Sequence, residues 1–284
     1  MTDSERSAPV WLVTGCSSGI SRAVAVAALA RGYRVVATAR DVSQVADLAA
    51  GEPARALSLP LDVTRPEQVA AAVAEAECVF GAIDVLVNNA GYGYLAAIEE
   101  GEDAEVRGLF ETNFFGLVAM TKAVLPGMRA RRRGHVINIS SMTGLVGNPG
   151  AGYYAASKFA VEGLSEALRK ELAPFGIRVT LVEPGAFRTD WSGRSMRQTR
   201  RPIEAYAEHV GTRRAMIQDL DGKQTGDPRR AAQAILMLAE LDDPPLRLLL
   251  GRDVYDAFRE KIAGLGASLD EWEAVSLDVE FRDR

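Results

Sequence analysis

Short β-branched runs alternate with longer Ala- and Leu-rich stretches along most of this chain. That rhythm is its tightest constraint on fold, because βα units laid into a parallel sheet are written this way. Strands are expected at residues 10–14, 34–39, 56–61, 83–88, 135–140, 178–183 and 247–250. Helical patterns fill the gaps: 21–31, then 64–80, which opens on Thr64-x-x-Glu67 at capping-box spacing. A long pattern over 105–131 contains Pro126, which is expected to bend or break it. Another over 153–172 is stopped by Pro174 and Gly176. Asp227-Pro228 reads as an N-cap followed by an N1 proline, starting a helix that reaches about Leu241. After Pro184 the alternation weakens. Residues 186–226 show no strand pattern and are expected to cover a cleft as a lid, and 252–284 to form a helical extension. No linker or repeat divides the chain, so one domain over 1–284 is expected.

Composition narrows the function. A net charge of −5 over 284 residues speaks against nucleic acid, whose phosphates demand a basic face. The basic run from Arg129 to Arg133 reads as a solvated helix C-terminus. Two cysteines, Cys16 and Cys78, make no disulfide framework, which suits a reducing, cytoplasmic setting. The first nine residues lack a signal-sequence pattern, and no apolar run is long enough for a membrane helix. His135 and His209 stand too far apart to suggest a metal site. The expected partner is a small molecule, with no metal, membrane or nucleic acid.

The turn Gly15-Cys16-Ser17-Ser18-Gly19-Ile20 joins the first strand directly to the first helix. Gly15 can adopt backbone angles closed to most residues, and Gly19 admits a pyrophosphate close to the chain. The helix that follows offers free N–H groups and a positive dipole end. Between strand and helix at the start of a βαβ unit, this pattern indicates a dinucleotide site. At the end of the second strand, where an NAD enzyme usually carries a carboxylate, this chain has Ala39, and Arg40 follows it with a planar fork that suits a ribose 2′-phosphate. NADP(H) is therefore expected, with NAD(H) as the alternative if Asp41 holds the ribose and Arg40 faces solvent.

Tyr154 and Lys158 lie at i and i+4 of one helix, so phenol and ammonium share a face. A phenol with a pKa of about 10 is a poor acid–base group near neutrality. A neighbouring cation is expected to lower it. Tyr153 cannot use the same lysine, since its i+4 partner is Ser157. Ser141, at the carboxyl end of a strand, is expected to reach the cleft and bind a substrate oxygen, with Ser140 as its competitor. In the lid, Phe187, Trp191, Met196, Tyr206 and Met216 could build an apolar substrate pocket or simply pack the lid together.

These motifs in this order resemble the short-chain dehydrogenase/reductase family from Val10 to Thr189. The segments that match are the glycine turn, Asn88-Asn89-Ala90-Gly91, Ser141, Tyr154-x-x-x-Lys158 and Pro184-Gly185-x-x-x-Thr189. One departure is Ser21, which stands at the third glycine of the family turn and is expected to be accommodated at some loss of fit. The resemblance implies an α/β fold of the Rossmann type: a doubly wound, mostly parallel seven-stranded sheet flanked by helices on both faces. It further implies that Asp62 and Val63 touch the adenine ring and that Asn89, Ala90 and Gly91 lie under the cofactor. Pro184, Gly185 and Thr189 would hold the nicotinamide, and Ser17, Ser18 and Ile20 would line the phosphate turn. Asn113 matches the family's fourth catalytic position beside Ser141, Tyr154 and Lys158, its bland reading being a polar surface residue. The look is closest to the hydroxysteroid and retinol dehydrogenase branch. The activity implied is hydride transfer between a secondary alcohol and its ketone, by a homodimer or homotetramer joined through the helices at 105–131 and 153–172. Epimerisation or dehydration by a related enzyme, and a cofactor-binding regulator without turnover, are the competing readings.

Overall fold

The computed structural model describes residues 8–191 and 193–281. The start of the polar leader and the last three residues of the expected extension lie outside them. Seven strands form one fully parallel sheet: β1 (Val10–Val13), β2 (Arg34–Ala39), β3 (Ala56–Pro60), β4 (Val85–Asn88), β6 (Gly134–Ile139), β7 (Ile177–Pro184) and β9 (Arg247–Leu250). Their order is β3-β2-β1-β4-β6-β7-β9. Central strands such as Val-Trp-Leu-Val of β1 are buried at every position, as a sheet covered on both faces requires. Alternate side chains feed two cores. On one face Trp11, Val13, Val35 and Val87 pack with α1 (Gly19–Ala30) and α8 (Pro228–Ala239). On the other, Val10, Leu12, Val36 and Leu86 meet α3 (Pro66–Phe80), α5 (Gly116–Arg131) and α6 (Gly152–Leu172). Two shorter helices join them, α2 (Ala46–Gly51) ahead of β3 and α7 (Thr212–Asp219) ahead of α8. The chain runs outward from β1 to β3 and then returns to the far side of β1 as β4. This reversal opens a crevice at the carboxyl ends of β1 and β4, where open α/β sheets bind ligands.

All seven expected strands are present, and Asp227 caps α8 by accepting from Arg229 N at 2.8 Å. Three expectations need correction. The capping box at Thr64 does not form: Thr64 N and Oγ1 both donate to Asp62 Oδ1, and the helix begins at Pro66 instead. An Asx turn has taken the residue that would have capped the helix. Pro126 does not break the long helix. Both Pro126 and Lys122, whose carbonyl loses a donor, lie on the exposed side, where water can serve. The interruption falls earlier, where α4 (Asp103–Phe110) passes through a π turn, Glu111–Phe115, into α5. Finally, 186–226 does contain a strand, β8 (Met196–Gln198), which pairs in parallel with β5 (Gly93–Leu95). Three residues are too few to show period-two alternation.

The basic run closes α5. Arg132 adopts a left-handed conformation, φ 53°, and donates to Pro174 O, while Arg131 donates to Ile83 O. Beyond β9 the extension is one helix, α9 (Arg252–Leu277). Cys16 and Cys78 are both free thiols. No described helix is long and apolar enough to cross a membrane.

Candidate active site

The crevice is a cleft of ≈ 780 Å³ that opens along the carboxyl ends of the strands. Gly15 and Gly19 have φ of +74° and +69°, conformations that L side chains rarely adopt. A Cβ on Gly15 would stand 3.1 Å from Ala90 Cα, a tight contact that the β4 loop would have to give way to by a few tenths of an ångström. Ser18 caps α1 with extended backbone, its side chain makes no capping bond, and the first turn carries no carboxylate. The helix amides are thus left for a ligand, and the dipole favours an anion.

Ser21, the departure from the family pattern, is fully buried. Its Oγ donates to Gly15 O at 2.5 Å and accepts from Asn89 Nδ2 at 2.9 Å. The expected loss of fit is not what the structure shows, because the hydroxyl ties the glycine turn to the β4 loop. Thr14 Oγ1 reinforces the link by accepting from Asn89 N and Ala90 N. Asn88 works beneath them, donating to Asn138 Oδ1 at 2.9 Å across the sheet.

Every residue expected at the cofactor lines this cleft: Gly15, Ser17, Ser18, Gly19, Ile20, Arg40, Asp62, Val63, Asn89, Ala90, Gly91, Pro184, Gly185 and Thr189. Arg40 is exposed at the end of β2. Asp41, its rival for the ribose, is held locally, with Oδ1 accepting from both Ser43 N and Ser43 Oγ. Glycines that admit a close backbone, unspent helix amides and a long cleft crossing the sheet's switch point together fit a dinucleotide.

Tyr154, Lys158 and Ser141 all line the cleft. Burial pushes the Tyr154 phenol up to about 12, against hydrogen bonds from Ser141 and Thr143 that favour the phenolate. Burial also brings the Lys158 ammonium down to about 8, opposed by the charge of Glu162. Lys158 Nζ donates to Ile139 O at 2.8 Å and lies 5.9 Å from the Tyr154 ring centre. Desolvation therefore governs the phenol in the protein alone, and Lys158, which donates to Ile139 O, is not among the groups that lower it. Ser141 Oγ lies 2.8 Å from Thr143 Oγ1. Its competitor Ser140 also lines the cleft, but it is buried and packs against Gly144, where an added Cβ would stand 2.4 Å from Ser140 Oγ. Tyr153 is also accounted for, since its hydroxyl donates to Ile98 O at 2.6 Å.

Asn113 occupies the π turn and is buried, not a surface residue. Its Oδ1 accepts from Tyr92 N at 3.0 Å, while Nδ2 donates to Tyr92 O at 2.9 Å and Ser157 Oγ at 3.3 Å. It stands behind the cleft and fixes the chain after Gly91. A Cβ on Gly91 would meet its Oδ1 at 2.9 Å, so that glycine makes room for the asparagine.

Of the expected lid residues, Phe187, Trp191, Met196 and Met216 line the cleft. The Trp191 ring centre lies 5.4 Å from that of Tyr154. Tyr206 is not among the cleft-lining residues; its hydroxyl donates to Glu99 Oε2 at 2.7 Å. Sequence reasoning missed what holds this segment down. Glu100, fully buried at its side chain, accepts from Ala97 N, Ile203 N and Arg214. Burial would raise its pKa, but these donors outweigh that and hold it below the ordinary value. Glu102 accepts from Arg200 N at 2.9 Å and from the Tyr94 hydroxyl. Also missed were Thr143 and a partly buried charge cluster behind Lys158. There Arg247 reaches Glu162 at 3.0 Å, Glu166 at 2.5 Å and Glu183 at 3.5 Å. Acidic residues scattered over separate elements carry no spacing signal.

The family model for short chain dehydrogenase matches residues 9–200. Over 96% of its length the chain superposes on all of a short-chain dehydrogenase from Streptomyces avermitilis, with 44% identity and a TM-score of 0.90. It is 40% identical, over 85% of its length and 87% of the relative's, to the 3-ketodihydrosphingosine reductase of Bacteroides thetaiotaomicron. A metagenomic short-chain oxidoreductase solved in complex with NADP is similar at 29% identity and a TM-score of 0.68, covering 87% of this chain and 97% of that one.

Proposed function

The chain belongs to the short-chain dehydrogenase family, and from that premise we propose that it is an NADP(H)-dependent oxidoreductase interconverting a secondary alcohol and its ketone on a bulky apolar substrate. The observation that carries this reading is the convergence of Ser141, Tyr154 and Lys158 on the cleft that Gly15 and Gly19 open. When bound, the nicotinamide supplies or accepts the hydride, and its positive ring adds a charge that favours the phenolate. In reduction, the Tyr154 phenol gives its proton to the carbonyl oxygen as that oxygen gains charge. Ser141 donates a hydrogen bond to the same oxygen and orients it. Lys158 would hold the nicotinamide ribose, and its ammonium charge beside the phenol would favour the phenolate. Asn113 positions the loop carrying Gly91 and, through Ser157, the turn of α6 that bears Tyr154. Oxidation runs these steps in reverse.

For the cofactor's choice, Arg40 supports NADP(H): it is exposed on the cleft where the adenosine ribose would lie, beside Asp41, whose Oδ1 is engaged with Ser43. An NAD-dependent alcohol dehydrogenase is the alternative. For the substrate, Trp191, Met196, Met216 and Leu220 give an apolar wall, in keeping with a lipid-like ketone such as the name of the Bacteroides relative indicates. Residues 186–226 act as the lid of a single domain spanning 1–284, with 252–284 as its extension. Family-type pairing through α4–α5 and α6 would make a homodimer or homotetramer, and Phe115 and Phe159 are exposed on those stretches. The test of the cofactor assignment is titration with NADPH and NADH, repeated on Arg40→Ala. Tighter binding of NADPH, weakened roughly 10–100-fold in the variant while NADH is unaffected, is expected for a lost charge-assisted contact. Equal affinities in the wild-type protein would place Arg40 in solvent and return the site to NAD(H).

A further inference from the structure

Helix α9 leaves the body of the protein soon after it starts. Its first turns are anchored: Asp253 Oδ2 accepts from Ala186 N at 2.8 Å, Val254 is buried, and Lys261 donates to Leu145 O while lying 4.7 Å over the Phe159 ring. From Ile262 to Phe281 no residue is buried. Yet this projecting stretch carries Ile262, Leu265, Leu269 and Trp272, with exposures of 54, 54, 73 and 55%. Their spacing alternates between three and four residues, and Tyr255 and Phe258 extend it toward the N-terminus. These are the a and d positions of a heptad, a period that keeps one seam facing a partner helix. A helix made for solvent needs no such seam, and a helix packed on its own body would have buried it.

We propose that α9 pairs with α9 of a second copy of this chain, as an antiparallel two-helix coiled coil. Direction follows from shape and charge. Each body sits at the N-terminal end of its helix, so a parallel pair would crowd two bodies at one end and an antiparallel pair separates them. In the antiparallel register Ile262 faces the partner's Trp272, and Leu265 faces the partner's Leu269. The two-fold axis repeats both contacts. That register sets Arg259, flanking the seam, beside the partner's Glu273, twice per dimer. A parallel register would instead flank the seam with Lys261 against Gly266 and Ser268 against Glu273, and no opposite charges would meet. At the crossing point Gly266 meets its own copy. A Cβ there would find nothing within 4 Å in the single chain, so the backbone surface is open for close approach.

Sedimentation equilibrium of the full chain tests this. The wild-type protein should sediment as a dimer, or as a tetramer if the long-helix faces also pair, and Leu265→Asp/Leu269→Asp should halve that mass. Arg259→Glu and Glu273→Arg should each weaken association by roughly tenfold, and the double reversal should restore it, as complementary flanking charges do. Circular dichroism shows whether the seam variant is folded; if it is not, the charge-reversal set alone decides. A monomeric wild-type chain, an unchanged mass in the folded seam variant, or a double reversal that fails to recover would each overturn the proposal. So would a monomer whose α9 instead carries it onto phosphatidylserine vesicles, because the face would then belong to a lipid surface.

Discussion

Replacing Ser21 with glycine would restore the family's glycine turn to its usual pattern, and the structure says that this protein would be worse for it. The Ser21 hydroxyl is the shared partner of Gly15 O and Asn89 Nδ2. Removing it leaves both groups short of a partner in a position with no exposure at Ser21 itself. A lost hydrogen bond contributes about 1 kcal/mol, and an orphaned buried group up to ~3. Both bonds are only partly buried, so the lower part of that range applies, about 2–3 kcal/mol in total. Ser21→Ala isolates this term. Ser21→Gly adds ~0.5–1 kcal/mol for glycine in the first turns of a helix. At roughly 2–4 °C per kcal/mol for a chain approaching this size, the alanine variant should melt about 4–12 °C below wild type and the glycine variant lower still. The assay is thermal unfolding followed by circular dichroism, at one fixed protein concentration so that association does not confound the comparison. A glycine variant as stable as wild type would refute the reasoning and return Ser21 to the status of a tolerated substitute.

Two further perturbations probe features invisible in the sequence. Burial raises the Glu183 carboxyl from 4.5 to about 8, with the charge of Glu162 adding to the effect and Arg247 opposing it. The folded state thus keeps a proton that the unfolded chain releases, so stability is lost as pH rises from about 4.5 to 8, by at most about 1.4 kcal/mol per pH unit; Glu183→Gln should flatten that decline in urea titrations, and an unchanged slope would show that Glu183 is not its source. Glu100→Gln weakens the clamp on Ile203 and Arg214, so limited proteolysis within 200–220 should accelerate several-fold while the sheet stays intact, and an unaltered cleavage rate would mean the carboxylate is not what holds the lid.

The sheet was legible because its central strands are buried on both faces and are therefore written as short, largely apolar runs. Val10–Val13 and Arg34–Ala39 carry that signature openly. The glycine turn and Tyr154-x-x-x-Lys158 were legible for a different reason: their chemistry depends on residues close in sequence. What stayed hidden depends on residues far apart. Nothing near Glu100 announces that it will accept from Ile203 N, more than a hundred positions later. Asn113 was found by family spacing, but the π turn that aims it at Tyr92 leaves no periodic trace in a helix-compatible stretch. Thr64 shows the opposite failure, a correct local pattern overridden by the nearer acceptor of Asp62. The burial that raises the Tyr154 phenol stayed hidden as well, because the sequence shows the neighbouring lysine and not the side chains that enclose the ring.

The central claim is that Tyr154 moves the proton in a hydride-transfer reaction supported by a bound dinucleotide. Its most direct test is Tyr154→Phe, comparing NADPH affinity by fluorescence titration with turnover of a lipid-like ketone that the wild-type protein reduces. The account predicts affinity within a few-fold of wild type and turnover lowered by about 10²–10⁴, the usual range for a positioned acid–base group. Turnover close to wild type at unchanged affinity would contradict it and move the chemistry to another group in the cleft.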